Sequence, residues 1–325
     1  MDGHRGSGLT EISQQAAPAS TVPTKALIAG IAANLALAVT KFVAFLFTGS
    51  SAMLAESLHS AADSSNQFLL ALGARRAQRP PTPEHPLGFG RERYFWAFVV
   101  AIIIFALGAA FSIYEGIHKL NNPGELQNLG WSYGALGIGL LMEGFALRVA
   151  WKEFRHLRGH RGGGLLETLS RTKDPTLPTL LAEDTAAITG LLVALVGVTL
   201  SVWTGSSKWD AGASIVIGCV LLYVAWFLAR ESHSLLIGES ASKEDREHIQ
   251  EVLDADPDVD CALELITLHV GPNTLLVLLN VDFREGLNTQ GIEDTVRRLE
   301  TAIRKRVPAA KRIFIEASSL ASPCD

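Results

Sequence analysis

The stretch "AESLHSAADSSNQFLL", residues 55–70, lies inside a segment, 52–74, that otherwise reads as a membrane span, yet it holds Glu56, His59, Asp63, Asn66 and Gln67. Each residue of an α-helix advances about 100°. Glu56, His59, Asp63 and Asn66, spaced 3, 4 and 3, therefore form one stripe. Such a stripe cannot face lipid at tolerable cost, so it faces other helices or water. Two readings follow. In the first, His59 and Asp63 are a helix-packing hydrogen bond that closes on itself. In the second, His-x-x-x-Asp presents an imidazole and a carboxylate on one helix face to a divalent metal, the logic of helical zinc sites.

The surrounding chain sets the environment of that stripe. Its apolar residues collect in long blocks before about residue 230. A bilayer core about 30 Å thick needs about 20 helical residues to cross it. Blocks 94–114, 185–204 and 211–229 meet that length without a charge. Block 26–47 does so with Asn34 and Lys41, block 131–150 with Glu143 and Arg148, and block 52–74 with the stripe itself. The expected fold is an α-helical membrane protein with six transmembrane helices. Arg75, Arg76, Arg79, Arg91 and Arg93 crowd segment 75–93, and Lys152, Arg155, Arg158, Arg161, Arg171 and Lys173 crowd 152–173. The opposite loops are nearly free of basic residues, so the positive-inside rule places both termini in the cytoplasm. The expected location is the plasma (inner) membrane.

Beyond Arg230 the chain turns polar and mixed. Ser242 can cap a helix over 243–254, with Asp245 three residues on as a capping partner. "ALELITLHV" and "TLLVLLNVDF", split by "GPN", read as a hairpin. Ile292, Val296, Leu299, Ile303 and Val307 fall at helical spacing, and "KRIFIEA" is a last strand. The expected divisions are a disordered tail at 1–24, a six-helix transmembrane domain at 25–232, a small cytoplasmic α+β domain of order α-β-β-α-β at 233–320, and a tail at 321–325.

Composition excludes several classes. A net charge of −5 with no concentrated basic face argues against a nucleic-acid partner. Cys219, Cys261 and Cys324 form no metal-finger or paired spacing, so they read as small apolar residues rather than a disulfide framework. The first 24 residues carry one arginine with Asp2 and Glu11 and no short apolar core, unlike a signal or transit peptide.

A second polar island discriminates between the two readings of the stripe. "PTLLAEDTAAITGLL" places Glu183 and Asp184 on the fifth expected span, ahead of an uncharged run. Two anionic clusters pointing inward from separate spans repel each other, and a cation between them removes the repulsion. The metal reading follows.

The segments "GSSAMLAESLHSAADSSNQ", "HPLGFGRERY", "AEDTAAITG" and "WDAGASIVIG" resemble, in order, the motifs of cation diffusion facilitators, proton-coupled exporters of zinc and related metals. The resemblance covers about residues 25–318 and is nearest to the subgroup that includes the mitochondrial zinc transporters. It implies that His59, Asp63 and Asp184 are metal ligands and that the terminal domain is metallochaperone-like. Many members have a histidine four residues before that aspartate, where this chain has Leu180. Glu183 is the candidate for the fourth place, with Asn66 or water as alternatives. The resemblance also pairs Arg91 with Asp210 in an architectural salt bridge. His85 in "HPLGFG" reads as a turn residue, and Glu143 as the partner of Arg148 a turn later.

The expected function is a homodimeric secondary transporter that moves zinc out of the cytoplasm by alternating access in exchange for protons. One imidazole with carboxylates suits zinc or cobalt better than manganese or magnesium. Zinc is then a transported substrate, membrane lipid a partner, and no organic cofactor is expected. The alternative is a membrane-bound metal sensor whose cytoplasmic domain assembles on zinc through His248 and His269 without transport. An enzyme is not expected, since the chain shows no second His-rich motif and no evident nucleophile.

Overall fold

A computed structural model describes residues 24–123, 129–159 and 174–317. The tails expected at 1–24 and 321–325 lie outside these residues, apart from Thr24, as do residues 160–173 of the basic segment.

The helices are α1 (Thr24–Thr48), α2 (Ser51–Ala77), α3 (Glu92–Ile103), α4 (Phe111–Asn121), α5 (Leu129–Gly159), α6 (Thr176–Thr204) and α7 (Lys208–Ile237). A π-helical segment, Ile104–Ala110, joins α3 to α4 without a break. By length and composition, three helices among the described residues can cross a membrane: Glu92–Asn121, Pro178–Thr204 and Lys208–Ile237. The expectation of six is corrected accordingly. The described apolar part of α1 is only Asn34–Thr48, shorter than a span. Along α2 the stripe from Glu56 to Asn66 lowers hydropathy, and α5 carries Glu143, Arg148 and Lys152. Three apolar helices therefore pack with more polar long helices, and a mixed α/β region follows; this is not six uniform spans.

The ends of the bundle are fixed by specific polar groups. Between α1 and α2 the chain reverses at Gly49, whose φ of 64° is the left-handed region open to glycine. Ser50 then caps α2, its Oγ accepting from the Met53 N–H at 3.2 Å. The same hydroxyl donates to Asp210 Oδ1 at 2.5 Å. Asp210 Oδ2 accepts from the Ser51 N–H at 2.8 Å and its hydroxyl at 3.0 Å, with Lys119 Nζ at 3.5 Å. Lys119 also donates to the Gly49 carbonyl. One fully buried carboxylate thus ties the α1–α2 turn to the end of α4 and the start of α7. The expected Arg91–Asp210 bridge is replaced by this arrangement, because Arg91 sits at the opposite end of the bundle beside Gly238.

Along α3, the π segment and α4, the buried positions are Tyr94, Ala97, Val100, Ala101, Ile104, Gly108, Ala109, Ser112, Gly116 and Lys119. Gly108 lies against Leu221, and Gly116 against Ile215 and the Ala211 carbonyl, so the π segment and α4 both approach α7 closely. Outward-facing Leu46, Phe105, Val196 and Trp226 form the apolar exterior that suits lipid. Trp203 stands 81% exposed near the end of α6, as aromatic side chains do at a membrane interface.

The following elements are α8 (Lys243–Asp254), β1 (Val259–Gly271), β2 (Thr274–Phe283), α9 (Thr289–Arg306) and β3 (Ala310–Ala317). β1 and β2 are antiparallel, β2 and β3 parallel, and the sheet order is β1-β2-β3. Ile249 and Leu253 of α8 and Leu299 and Ile303 of α9 cover one face, packing on Val277, Leu279, Val281 and Ile313. Cys261 is disulfide-bonded, so it is not the ordinary small apolar residue its spacing suggests. This region meets the bundle at a glycine pair: a Cβ on Gly90 would collide with the Val270 carbonyl and lie 2.9 Å from Gly271 Cα. Beside it the His269 N–H donates to the Glu239 carbonyl at 2.9 Å, and the Ala241 N–H to Thr267 Oγ1 at 3.0 Å.

Candidate functional site

The α2 stripe faces inward along its whole length. Glu56, His59, Asp63 and Asn66 are all buried, His59 to within 2% of full enclosure. Small neighbours on α2 (Ala52, Ala55, Ser60, Ala62) let adjacent helices come close to this face. His59 Nδ1 stands 3.7 Å from Asp63 Oδ1, one turn along the same helix. That separation is too long for a hydrogen bond. Neither ring nitrogen of His59 has a hydrogen-bond partner among the described residues, and Asp63 Oδ1 has none either.

α6 contributes the second set. Glu183 is buried, and its Oε1 accepts a hydrogen bond from Asn66 Nδ2 at 2.9 Å. Asp184, the next residue, is part-buried. Glu143 of α5 is a further buried carboxylate of the bundle. The structure joins the predicted residues as two pairs, His59 with Asp63 and Asn66 with Glu183. Among the described residues, no group of three or more His, Cys, Asp or Glu side chains converges closely enough to hold a metal.

Leu180, where a fourth ligand is absent from the sequence, is part-buried on α6 one turn before Asp184. His85 is exposed in a turn closed by two backbone bonds with Thr82, and its ring packs edge-on against Phe89 at 4.7 Å. Glu143 is buried while Arg148 is exposed. In the terminal region His233 is exposed and His248 half-buried on α8, while His269 is buried on β1.

Sequence reasoning missed Lys41 and Glu56 as a pair. Lys41 Nζ lies 3.1 Å from Glu56 Oε2, with both side chains fully buried, and donates to Ser60 Oγ at 2.8 Å. The available signal was a lone lysine in an apolar run, which requires an anionic partner.

A histidine and a carboxylate are thus buried one turn apart on α2, and a buried carboxylate of α6 is held from the same face through Asn66. The chain belongs to the cation efflux family, whose transmembrane domain matches residues 27–237. It is 33% identical to the mouse and the human "Proton-coupled zinc antiporter SLC30A9, mitochondrial" over 261 residues, 80% of this chain and 46% of each relative. It is 30% identical to "Metal tolerance protein C4" of Arabidopsis thaliana, over 81% of this chain and 57% of that protein. "Cation-efflux pump FieF" of Klebsiella pneumoniae is 24% identical over 92% of this chain and 94% of the pump. The chain thus spans about half the length of the antiporters it matches. Their names place those antiporters in mitochondria, which conflicts with the plasma-membrane location expected from sequence. The physical reason is plain: a bias of basic residues sets which loops share a side of the membrane but does not specify which membrane holds them.

Proposed function

We propose that this protein is a secondary transporter, not an enzyme, that moves a divalent metal, zinc, across a membrane in exchange for protons by alternating access. The observation that carries this reading is the His59–Asp63 pair. Its imidazole is buried with neither nitrogen hydrogen-bonded among the described residues. A carboxylate stands 3.7 Å away. Leaving such groups unpaired in a bundle is costly unless a cation completes them.

In this reading His59 and Asp63 of α2 and Asp184 and Glu183 of α6 hold the substrate. Asn66 holds Glu183 from the α2 side, setting the distance between the helices. One nitrogen with several carboxylate oxygens favours zinc over magnesium or manganese. Ligands bind metal only when deprotonated, so protons compete for the same atoms, and that competition couples the two fluxes. Closing and opening α2 against α6 exposes the site to either side in turn. The names of the related antiporters and of the efflux pump support this chemistry. Assembly as a homodimer belongs to the same proposal.

The test is zinc uptake into proteoliposomes under an imposed pH gradient. Wild-type protein takes up zinc, and His59→Ala and Asp63→Ala lower uptake by at least about tenfold, as loss of metal-site residues does. Uptake unchanged in both variants removes these residues from the site.

A further inference from the structure

The Lys41–Glu56 pair lies one turn along α2 from His59, toward the end of the bundle that holds Ser50 and Asp210. Three features mark it as more than a buried ion pair. First, it is the meeting point of four helices. Lys41 comes from α1, Glu56 and Ser60 from α2, and Gly139 of α5 lies beside Lys41, where an added Cβ would stand 3.4 Å from Cε. Gly190 of α6 completes the set. Second, Glu56 Oε1 occupies the space where a side chain on Gly190 would be, so the carboxylate closes directly on the α6 backbone. That oxygen has no hydrogen-bond partner among the described residues. Third, a second buried carboxylate stands near: Glu143 lies one turn along α5 from Gly139, the residue beside Lys41.

We propose that Lys41 and Glu56, closed against Gly190, form a gate that separates the zinc site from the Asp210 end of the bundle. The inference rests on the transport reading given above. A divalent ion leaving His59 and Asp63 toward that end meets Glu56 next, and the Lys41 ammonium already occupies it. The tethered cation repels the mobile one and fills the anionic position beyond the site. Passage requires the ammonium to leave Glu56, and Glu143 offers it a second buried carboxylate. Gly190 is required because any side chain there displaces the Glu56 carboxylate from its seat.

The experiment uses full-length protein in proteoliposomes, with zinc flux down its own gradient measured with and without a pH gradient. Zinc affinity is measured separately on detergent-solubilised protein. The double variant Lys41→Met with Glu56→Gln removes both charges together and leaves no unpaired ion, so it keeps the bundle intact where single variants endanger it. Gly190→Ala tests the same seat without altering charge. The gate predicts that both variants raise zinc flux in the absence of a pH gradient by about tenfold or more, a shift in favour of the open state. Zinc affinity stays near the wild-type value. Retention of tight proton coupling in both variants overturns the gate, as does loss of flux without leak. A wild-type protein that moves no zinc instead overturns the transport reading itself, so the two failures are distinct.

Discussion

The side-chain amide of Asn66 donates to Glu183 Oε1 across 2.9 Å, a buried bond that ties α2 to α6 at the level of the candidate ligands. It orients a carboxylate that would otherwise face Asp63 and Asp184 with nothing to hold it. Replacing Asn66 with alanine leaves Glu183 without that donor. We expect zinc affinity to fall by about 10–100-fold, the usual effect of losing a group that orients a metal ligand. Asn66→Asp is expected to be worse, since it sets a like charge beside Glu183. Isothermal titration of detergent-solubilised protein measures both.

Asp210 anchors the opposite end of the bundle. Asp210→Ala strips Ser50, Ser51 and Lys119 of their shared acceptor and leaves the lysine without its carboxylate. Breaking one side of a buried pair costs about 3–5 kcal/mol. Asp210→Asn keeps part of the hydrogen bonding and is expected to lose less. Thermal unfolding in detergent ranks wild type above Asp210→Asn above Asp210→Ala.

In the α/β region, Arg298 bridges Asp256 at 2.9 Å and Asp258 at 2.7 Å. Partial burial pushes the Asp256 carboxyl upward, but bonds from Arg298 and the Asp258 N–H outweigh it and hold the group below the ordinary carboxylate value. A depressed folded-state value stabilises above the unfolded pKa, and that contribution is lost as pH falls through the folded one. Hydrogen exchange of α9 amides is expected to accelerate below about pH 4 in the wild type. Asp256→Asn flattens that acid dependence.

Gly90 and Gly271 bring the segment before α3 against the β1–β2 turn, with backbone touching backbone. Gly90→Val inserts a branched side chain where the Val270 carbonyl lies, and overpacking of this kind costs about 1–3 kcal/mol. The expected result is faster exchange of the His269 and Ala241 amides, which donate their bonds at this junction. The amides of the first turns of α9, tied through Thr295 to Asp258 at the far end of the sheet, keep their protection.

The inward stripe of α2 was legible because helical periodicity alone aligns Glu56, His59, Asp63 and Asn66, and lipid excludes them from the outer face. The partners of those residues were not. Lys41 meets Glu56 because the chain reverses at Gly49, and a sequence states the order of two helices without their relative depth. The same gap misdirected Asp210 toward Arg91, when the nearer cation was Lys119 at the end of α4. The number of apolar spans was overestimated for a related reason. Windows tolerant of interruptions accepted α2 and α5, whose polar residues are the ones that face the bundle interior. Cys261 shows the limit of spacing rules, since a disulfide depends on distance in the fold and not along the chain.

The π-helical segment between α3 and α4 acts as a correction of phase. One line of buried residues steps by 3, 4 and 3 from Tyr94 through Ala97 and Ala101 to Ile104, and by 4, 4 and 4 from there through Gly108 and Ser112 to Gly116, with Val100 and Ala109 buried alongside it. On a regular α-helix each step of four overshoots a full turn by about 40°, so three steps would swing the face round by about 120°. The wider turns of the π segment absorb part of that rotation, holding Gly116 and Lys119 on the flank that meets α7. The reach of Lys119 to Asp210 thus depends on a change of helical pitch two turns earlier.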